Sequence, residues 1–148
     1  MLFEYLPEIP PPPQEYLCSS LEQIRLNAYE LSYFPGVYGS FLVKHRMAIE
    51  EALRPYFSFD VTNRFGYQYI GENMVTHKDN GRVETYNFIL DTGGDNVTTV
   101  IYDEDKTTIL HEEVIKPNVW HKLRVDKYHN VLNITRPRFM MMVFEKVN

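Results

Sequence analysis

The sequence is poor in the residues that would commit it to several common protein classes. It has a single cysteine, Cys18, so no internal disulfide can form, and the chain suits a reducing compartment. Flanked by Leu17 and Ser19, that thiol reads as a small semi-buried filler rather than a nucleophile. Lys and Arg number 15 against 20 Asp and Glu, giving a net charge of -5, and no basic block interrupts the balance. A non-specific nucleic-acid surface is therefore not expected. No apolar run approaches membrane-spanning length. The start, Met1-Leu2-Phe3-Glu4-Tyr5-Leu6-Pro7, has neither the basic leader nor the apolar stretch of a signal peptide. The expectation is a cytoplasmic protein with no membrane partner.

What is present is enough for one domain. The 148 residues, 44% hydrophobic, allow a real core with little room for a further module. The texture divides it into residues 1–59, a proline-rich arm with supporting helices, and residues 60–148, a β core. Pro10-Pro11-Pro12-Pro13 is a stiff polyproline segment, read as an arm strapped across its own domain rather than as a ligand for another protein. Ser20-Leu21-Glu22-Gln23 has the form of a capping box, with Ser at the N-cap and Gln three residues on. Leu21, Ile24, Ala28 and Leu31 follow at helical spacing, and Phe34-Pro35-Gly36 closes that helix. A second helix is expected from about Leu42 to Leu53, ending before Pro55.

From about Phe57 the chain changes character. Short runs rich in Val, Ile, Thr, Tyr and Phe alternate with turn residues, the signature of an all-β sandwich or barrel. The expected strands are Asn63–Ile70, Glu84–Asp91, Val97–Tyr102, Thr107–Val114, Trp120–Val125, His129–Ile134 and Arg138–Glu145. Asp79-Asn80-Gly81 and Gly93-Gly94-Asp95-Asn96 are the strongest turns, because Asn and Gly tolerate positive φ. The fold class is mainly β with N-terminal helices, an α+β chain built on a jelly-roll or double-stranded β-helix barrel of the cupin-like kind.

Chemistry centres on His77-Lys78-Asp79. In an extended segment alternate side chains share a face, so His77 and Asp79 project together. An imidazole and a carboxylate so placed supply two ligands of a facial triad, which suits non-haem Fe(II). His45, in Lys44-His45-Arg46, and His111, in Leu110-His111-Glu112, read as solvated surface residues, while His121 is a further candidate ligand. His129, at the head of a strand, is placed to point into a barrel mouth. Nine residues on, Arg138 opens a strand whose Met and Phe side chains belong to the core. Burying a guanidinium is costly unless an anion meets it. A small dicarboxylate would resolve the cost, and so would one of the chain's own acids. Pro137 lacks a ladder donor, so the strand must start there or lie at an edge.

In this order and spacing, His77-Lys78-Asp79, His129 and Arg138 resemble the 2-oxoglutarate- and Fe(II)-dependent dioxygenases, and within them the prolyl-hydroxylase-like branch. Tyr69-Ile70-Gly71, Asn87-Phe88-Ile89-Leu90-Asp91 with Gly93-Gly94, and Pro117-Asn118 before Trp120 are similar to family elements around the site. The resemblance covers roughly Phe65 to Glu145. It implies that His77, Asp79 and His129 hold Fe(II) and form the catalytic centre. It further implies that the co-substrate 2-oxoglutarate reaches Arg138, with the Tyr69 hydroxyl as a second donor. Arg136 and Tyr67 are the rivals for those two positions. Dioxygen is the other co-substrate, and the hydroxylated substrate would be a small molecule or a protein side chain such as proline. Two other readings stay open. One is a non-catalytic β-helix binding or structural module with a vestigial metal site. The other is a cupin-like enzyme with another metal.

Overall fold

The structure, a computed structural model, describes residues 1–147, with the side chains of residues 30–33 outside the description. The N-terminal segment supplies a strand, β1 (Phe3–Tyr5), before the polyproline run, and then a short helix, α1 (Leu21–Asn27). The cap works as the sequence suggests: Ser20 is extended (φ -145°, ψ 156°) and its hydroxyl accepts the Gln23 N–H at 3.1 Å. The Gln23 side chain reaches back one residue further than a capping box requires, accepting the Ser19 N–H at 2.7 Å.

The helix is shorter than its apolar spacing implies. At Ala28 the backbone becomes extended and the chain forms a hairpin, β2 (Ala28–Phe34) and β3 (Val37–Leu42). Phe34-Pro35-Gly36 is the hairpin turn, with Gly36 at φ 72°, not a helix terminator. The side chain of Leu31, the last expected helical position, lies outside the described residues. For the same reason the second helix starts late: α2 covers Arg46–Leu53, after β3 has used Leu42. It buries Ile49 and Leu53 on one face together with Glu50, whose carboxylate accepts from Arg46 at 2.9 and 3.0 Å and from the Asn63 N–H at 2.9 Å.

The remaining strands are β4 (Phe65–Ile70), β5 (Met74–His77), β6 (Glu84–Asp91), β7 (Thr98–Tyr102), β8 (Ile109–Glu113), β9 (Trp120–Arg124), β10 (Tyr128–Leu132) and β11 (Arg138–Phe144). They form two antiparallel sheets, a seven-stranded one in the order β1-β9-β6-β11-β4-β3-β2 and a four-stranded one in the order β5-β10-β7-β8. No ladder joins the two among the described residues, so the expected barrel is an open pair of sheets. Residues 1–59 are also more than an arm with helices, because they contribute three strands to the larger sheet.

Strand alternation sorts the core into two layers. One face of the larger sheet carries Ile70, Ile89, Leu123 and Met140 towards Met74, Ile101 and Val131 of the smaller sheet. The other face carries Phe65, Tyr67, Phe88, Trp120, Met141 and Val143, covered by Leu6, Ile9, Ile24, Ile49 and Leu53 from the arm and helices. The arm is tied down by β1 pairing with β9 and by the Trp120 indole N–H, which donates to the Pro10 carbonyl at 2.8 Å. Pro137 does not force β11 to an edge. The strand begins at the next residue and runs down the middle of the sheet between β6 and β4, with all seven of its residues buried. Among the described residues, no helix is long and apolar enough to cross a membrane.

Candidate metal centre and cavity

His77 closes β5 and lies directly opposite His129 in β10. Beyond His77 the chain leaves the strand, and the Asp79 N–H donates to the Val125 carbonyl at 2.9 Å. The turn brings the carboxylate back over the two rings. The Asp79 Oδ1 is 3.3 Å from His77 Nε2 and 3.6 Å from His129 Nε2, and one ligand atom from each of the three residues lies within 4.8 Å of the others. Donors bound at about 2.1 Å and at right angles would be ~3.0 Å apart, so the three are close to a ligating arrangement. They reach it through a segment anchored on Val125, just past the end of β9, rather than through simple alternation within one strand.

The ring orientations are set by the backbone. His77 Nδ1 is 2.7 Å from the Val75 carbonyl, and His129 Nδ1 is 2.8 Å from the Lys127 carbonyl. A carbonyl only accepts, so each Nδ1 carries a hydrogen, and Nε2 is the nitrogen left to face Asp79 or a metal ion. Burial opposes charge on all three residues. For His77 the hydrogen bonds to Asp79 and the Val75 carbonyl outweigh it and raise the pKa. For His129 burial prevails and the pKa is lowered. Asp79 is also buried, yet the hydrogen bond to His77 and the charges of His129 and Arg82 hold it below the ordinary carboxylate range. Two imidazole Nε2 atoms and one carboxylate, oriented by outer hydrogen bonds, are a donor set that fits an Fe(II) ion, whose binding would displace the proton that His77 Nε2 shares with Asp79.

The cluster opens into a cavity of about 370 Å³ between the two sheets. Its walls are mostly apolar, with Ile70, Leu123, Val131 and Met140 among them, and its polar residues include Gln68, Asn87, His121 and Arg138. Arg138 is 2% exposed. Its Nε donates to the Thr92 carbonyl at 2.7 Å, while its Nη2 is buried with no hydrogen-bond partner among the described residues. Burial lowers its pKa to about 10 even though Asp91 works in the other direction. The Gly93-Gly94 turn explains how the strand end is reached. Gly93, at φ 86°, passes so close that an added Cβ would lie 3.0 Å from the Arg138 Cβ. Arg136 sits outside the cavity, half exposed, with its Nε 3.0 Å from Asp91.

Tyr69 does not reach the cavity. Arg138 pairs with Ile70, and it is Gln68 and Ile70 of β4 that line the space. By alternation, Tyr67 and Tyr69 project from the opposite face, where Tyr69 packs against Tyr38 and Phe139 and Tyr67 hydrogen-bonds to the Tyr16 carbonyl. The expectation that Tyr69 donates to a ligand is corrected on that ground. His121, by contrast, is fully buried and lines the cavity, although it is not part of the His77–Asp79–His129 cluster. Its neighbour in the ladder is Asn87, a pairing that only the register reveals. His45 is exposed, at a left-handed helix start with φ 63°. His111 is half-buried, stacked on Phe3 at 5.7 Å.

At the level of sequence no family model matches, and no curated protein matches either. The fold is similar to that of an oxidoreductase of the 2OG-Fe(II) oxygenase family from Burkholderia pseudomallei, with a TM-score of 0.57 and 12% identity over 86% of this chain and 79% of that one. It is also similar to HutD from Pseudomonas fluorescens, with a TM-score of 0.51 and 11% identity over 81% of this chain and 57% of that one. At such identities the likeness is one of fold.

Proposed function

We propose that this protein is an Fe(II)- and 2-oxoglutarate-dependent dioxygenase that hydroxylates a small molecule or a protein side chain such as proline. Its scaffold on this reading is a double-stranded β-helix. The observation that carries the proposal is the presence, on one cavity, of a two-histidine, one-carboxylate cluster and a buried guanidinium with an unpaired donor. The fold of the Burkholderia oxygenase supports it.

The residues divide the work. His77 Nε2, Asp79 and His129 Nε2 would hold the ion. Bound there, iron with dioxygen and 2-oxoglutarate supplies the oxidising power for hydroxylation, with succinate and carbon dioxide as co-products. Arg138 binds the far carboxylate of the co-substrate and so orients its other end towards the histidines. The Val75 and Lys127 carbonyls fix the imidazole planes before any ligand arrives. Ile70, Leu123, Val131 and Met140 exclude water from the space between, which strengthens each polar contact inside it.

The test is spectroscopic. Anaerobic protein given Fe(II) and 2-oxoglutarate together should develop a weak visible charge-transfer band, and His77→Ala should abolish it. A wild-type protein that stays colourless at saturating iron, or a His77→Ala variant that keeps the band, would sink the proposal and favour a module without catalysis.

A further inference from the structure

A chain of hydrogen bonds on the polar wall of the cavity ends without an acceptor. Thr85 Oγ1 donates to Asn87 Oδ1 at 3.4 Å, and Asn87 Nδ2 faces His121 Nε2 at 3.2 Å. As this amide is oriented, its nitrogen donates and Nε2 accepts, so a neutral His121 carries its hydrogen on Nδ1. All three residues are buried and line the cavity, and His121 is 1% exposed. Yet its Nδ1 has no hydrogen-bond partner among the described residues. Phe3 packs on the ring at 5.5 Å between centroids, and Asn87 holds its far nitrogen.

The ring is neutral as well as oriented. Burial, with the charge of Arg138 adding to it, lowers the His121 pKa to about 3. The fully buried side-chain atoms without a partner on this wall among the described residues, Nδ1 of His121 and Nη2 of Arg138, are therefore both donors and together carry a single positive charge. A cation finds no acceptor in either, and the one positive charge on these two donors balances a single carboxylate better than a doubly charged phosphate. One carboxylate group matches both the donors and the charge.

We propose that His121, held as its Nδ1–H form by Asn87 and Thr85, is a ligand-binding residue that donates to an oxygen of a carboxylate-bearing molecule anchored by Arg138. The family resemblance gives His121 no such role and assigns the second donor to a tyrosine, which here faces away. The inference rests on the reading of the cavity as a carboxylate site, and it does not require the metal.

The probe is glutarate, which keeps both carboxylates of 2-oxoglutarate and lacks the 2-oxo group that a metal would hold. Metal-free protein labelled with nitrogen-15 is titrated while the histidine side chains are followed by long-range proton–nitrogen spectra. His121→Gln identifies the His121 signals by their loss. Free wild-type protein should show His121 as the Nδ1–H tautomer, and glutarate should shift its Nδ1 signal. By calorimetry, His121→Phe should weaken glutarate binding by about tenfold or more, and His121→Gln, which keeps an N–H donor, should recover part of it. Failure of the wild type to bind glutarate overturns the inference. So does binding that leaves the His121 signals unmoved, or undiminished affinity in His121→Phe. If His121→Phe does not fold, the wild-type titration decides alone. A colourless iron complex with an intact glutarate response would remove the oxygenase reading and leave this one standing.

Discussion

His77 and His129 face each other across the β5–β10 pair with ring centroids 4.3 Å apart, each steered by the backbone carbonyl two residues before it. Neither ring needs to turn to present Nε2 beside Asp79. Preorganisation of this kind lets an ion bind the folded chain far better than the unfolded one, and binding of that sort stabilises.

Anaerobic Fe(II) at about a hundred times its dissociation constant should therefore add about 2.7 kcal/mol of stability. For a domain of this size that corresponds to a rise in Tm of roughly 5–10 °C in calorimetry. His129→Ala should abolish the rise. An iron-dependent shift that survives in His129→Ala would place the ion elsewhere.

Arg138 and Arg136 should separate cleanly. Arg138→Met removes a buried guanidinium with an unpaired Nη2, at the cost of its bond to the Thr92 carbonyl. The variant should stay within about 1 kcal/mol of wild type in urea unfolding, because a well-packed apolar side chain often replaces a buried charge without loss. It should lose 2-oxoglutarate binding by calorimetry. Arg136→Met breaks only an exposed pair with Asp91 and should leave both measurements near wild type. Equal loss of binding in the two variants would contradict the assignment.

His121 should make the fold sensitive to mild acid. Its folded pKa is about 3 against an ordinary value of 6.5, through burial first and the Arg138 charge second. Between those values the unfolded chain takes up a proton that the folded chain refuses. Stability from this group is thus complete above about pH 6.5 and is lost as the pH falls towards the folded pKa, by up to ~1.4 kcal/mol per pH unit. Denaturant unfolding of His121→Gln across the mildly acidic range should show a slope reduced by that amount. An unchanged slope would mean that the imidazole is solvated or paired.

The arm should behave as part of the core. Trp120→Phe removes the bond to the Pro10 carbonyl and leaves space among Phe57, Phe88 and the arm. A loss of about 2 kcal/mol is expected. Hydrogen exchange at Leu6, whose N–H donates to the Trp120 carbonyl, should quicken more than exchange in β11. Uniform quickening would mean that the arm and sheet unfold together.

Much of the β core was legible because its strands alternate and its turns carry Asn or Gly. Glu84–Asp91 runs to the same bounds in both, and the starts at Trp120 and Arg138 coincide. The β2–β3 hairpin is masked in the sequence because Leu21, Ile24, Ala28 and Leu31 satisfy a helical period, while Phe34-Pro35-Gly36 can end a helix or turn a hairpin. Strand β5 was hidden by its length of four residues. Tyr67 and Tyr69 do share a face, but which face depends on pairing Ile70 with Arg138, and one strand read alone has no absolute sense of inside. His121 could be named only as a candidate, because its setting depends on Asn87 opposite, far away in sequence.

Strand β5 has one neighbour, β10, and an outer edge that pairs with nothing among the described residues; Val75 on it is 58% exposed. An unpaired edge of that kind is where foreign strands add and aggregates begin. An ion gripped by His77, Asp79 and His129 would clamp β5 to β10 and to the turn anchored on Val125. On the proposed reading, the same ion would thereby guard an open border of the smaller sheet, and protein stripped of metal is expected to aggregate more readily.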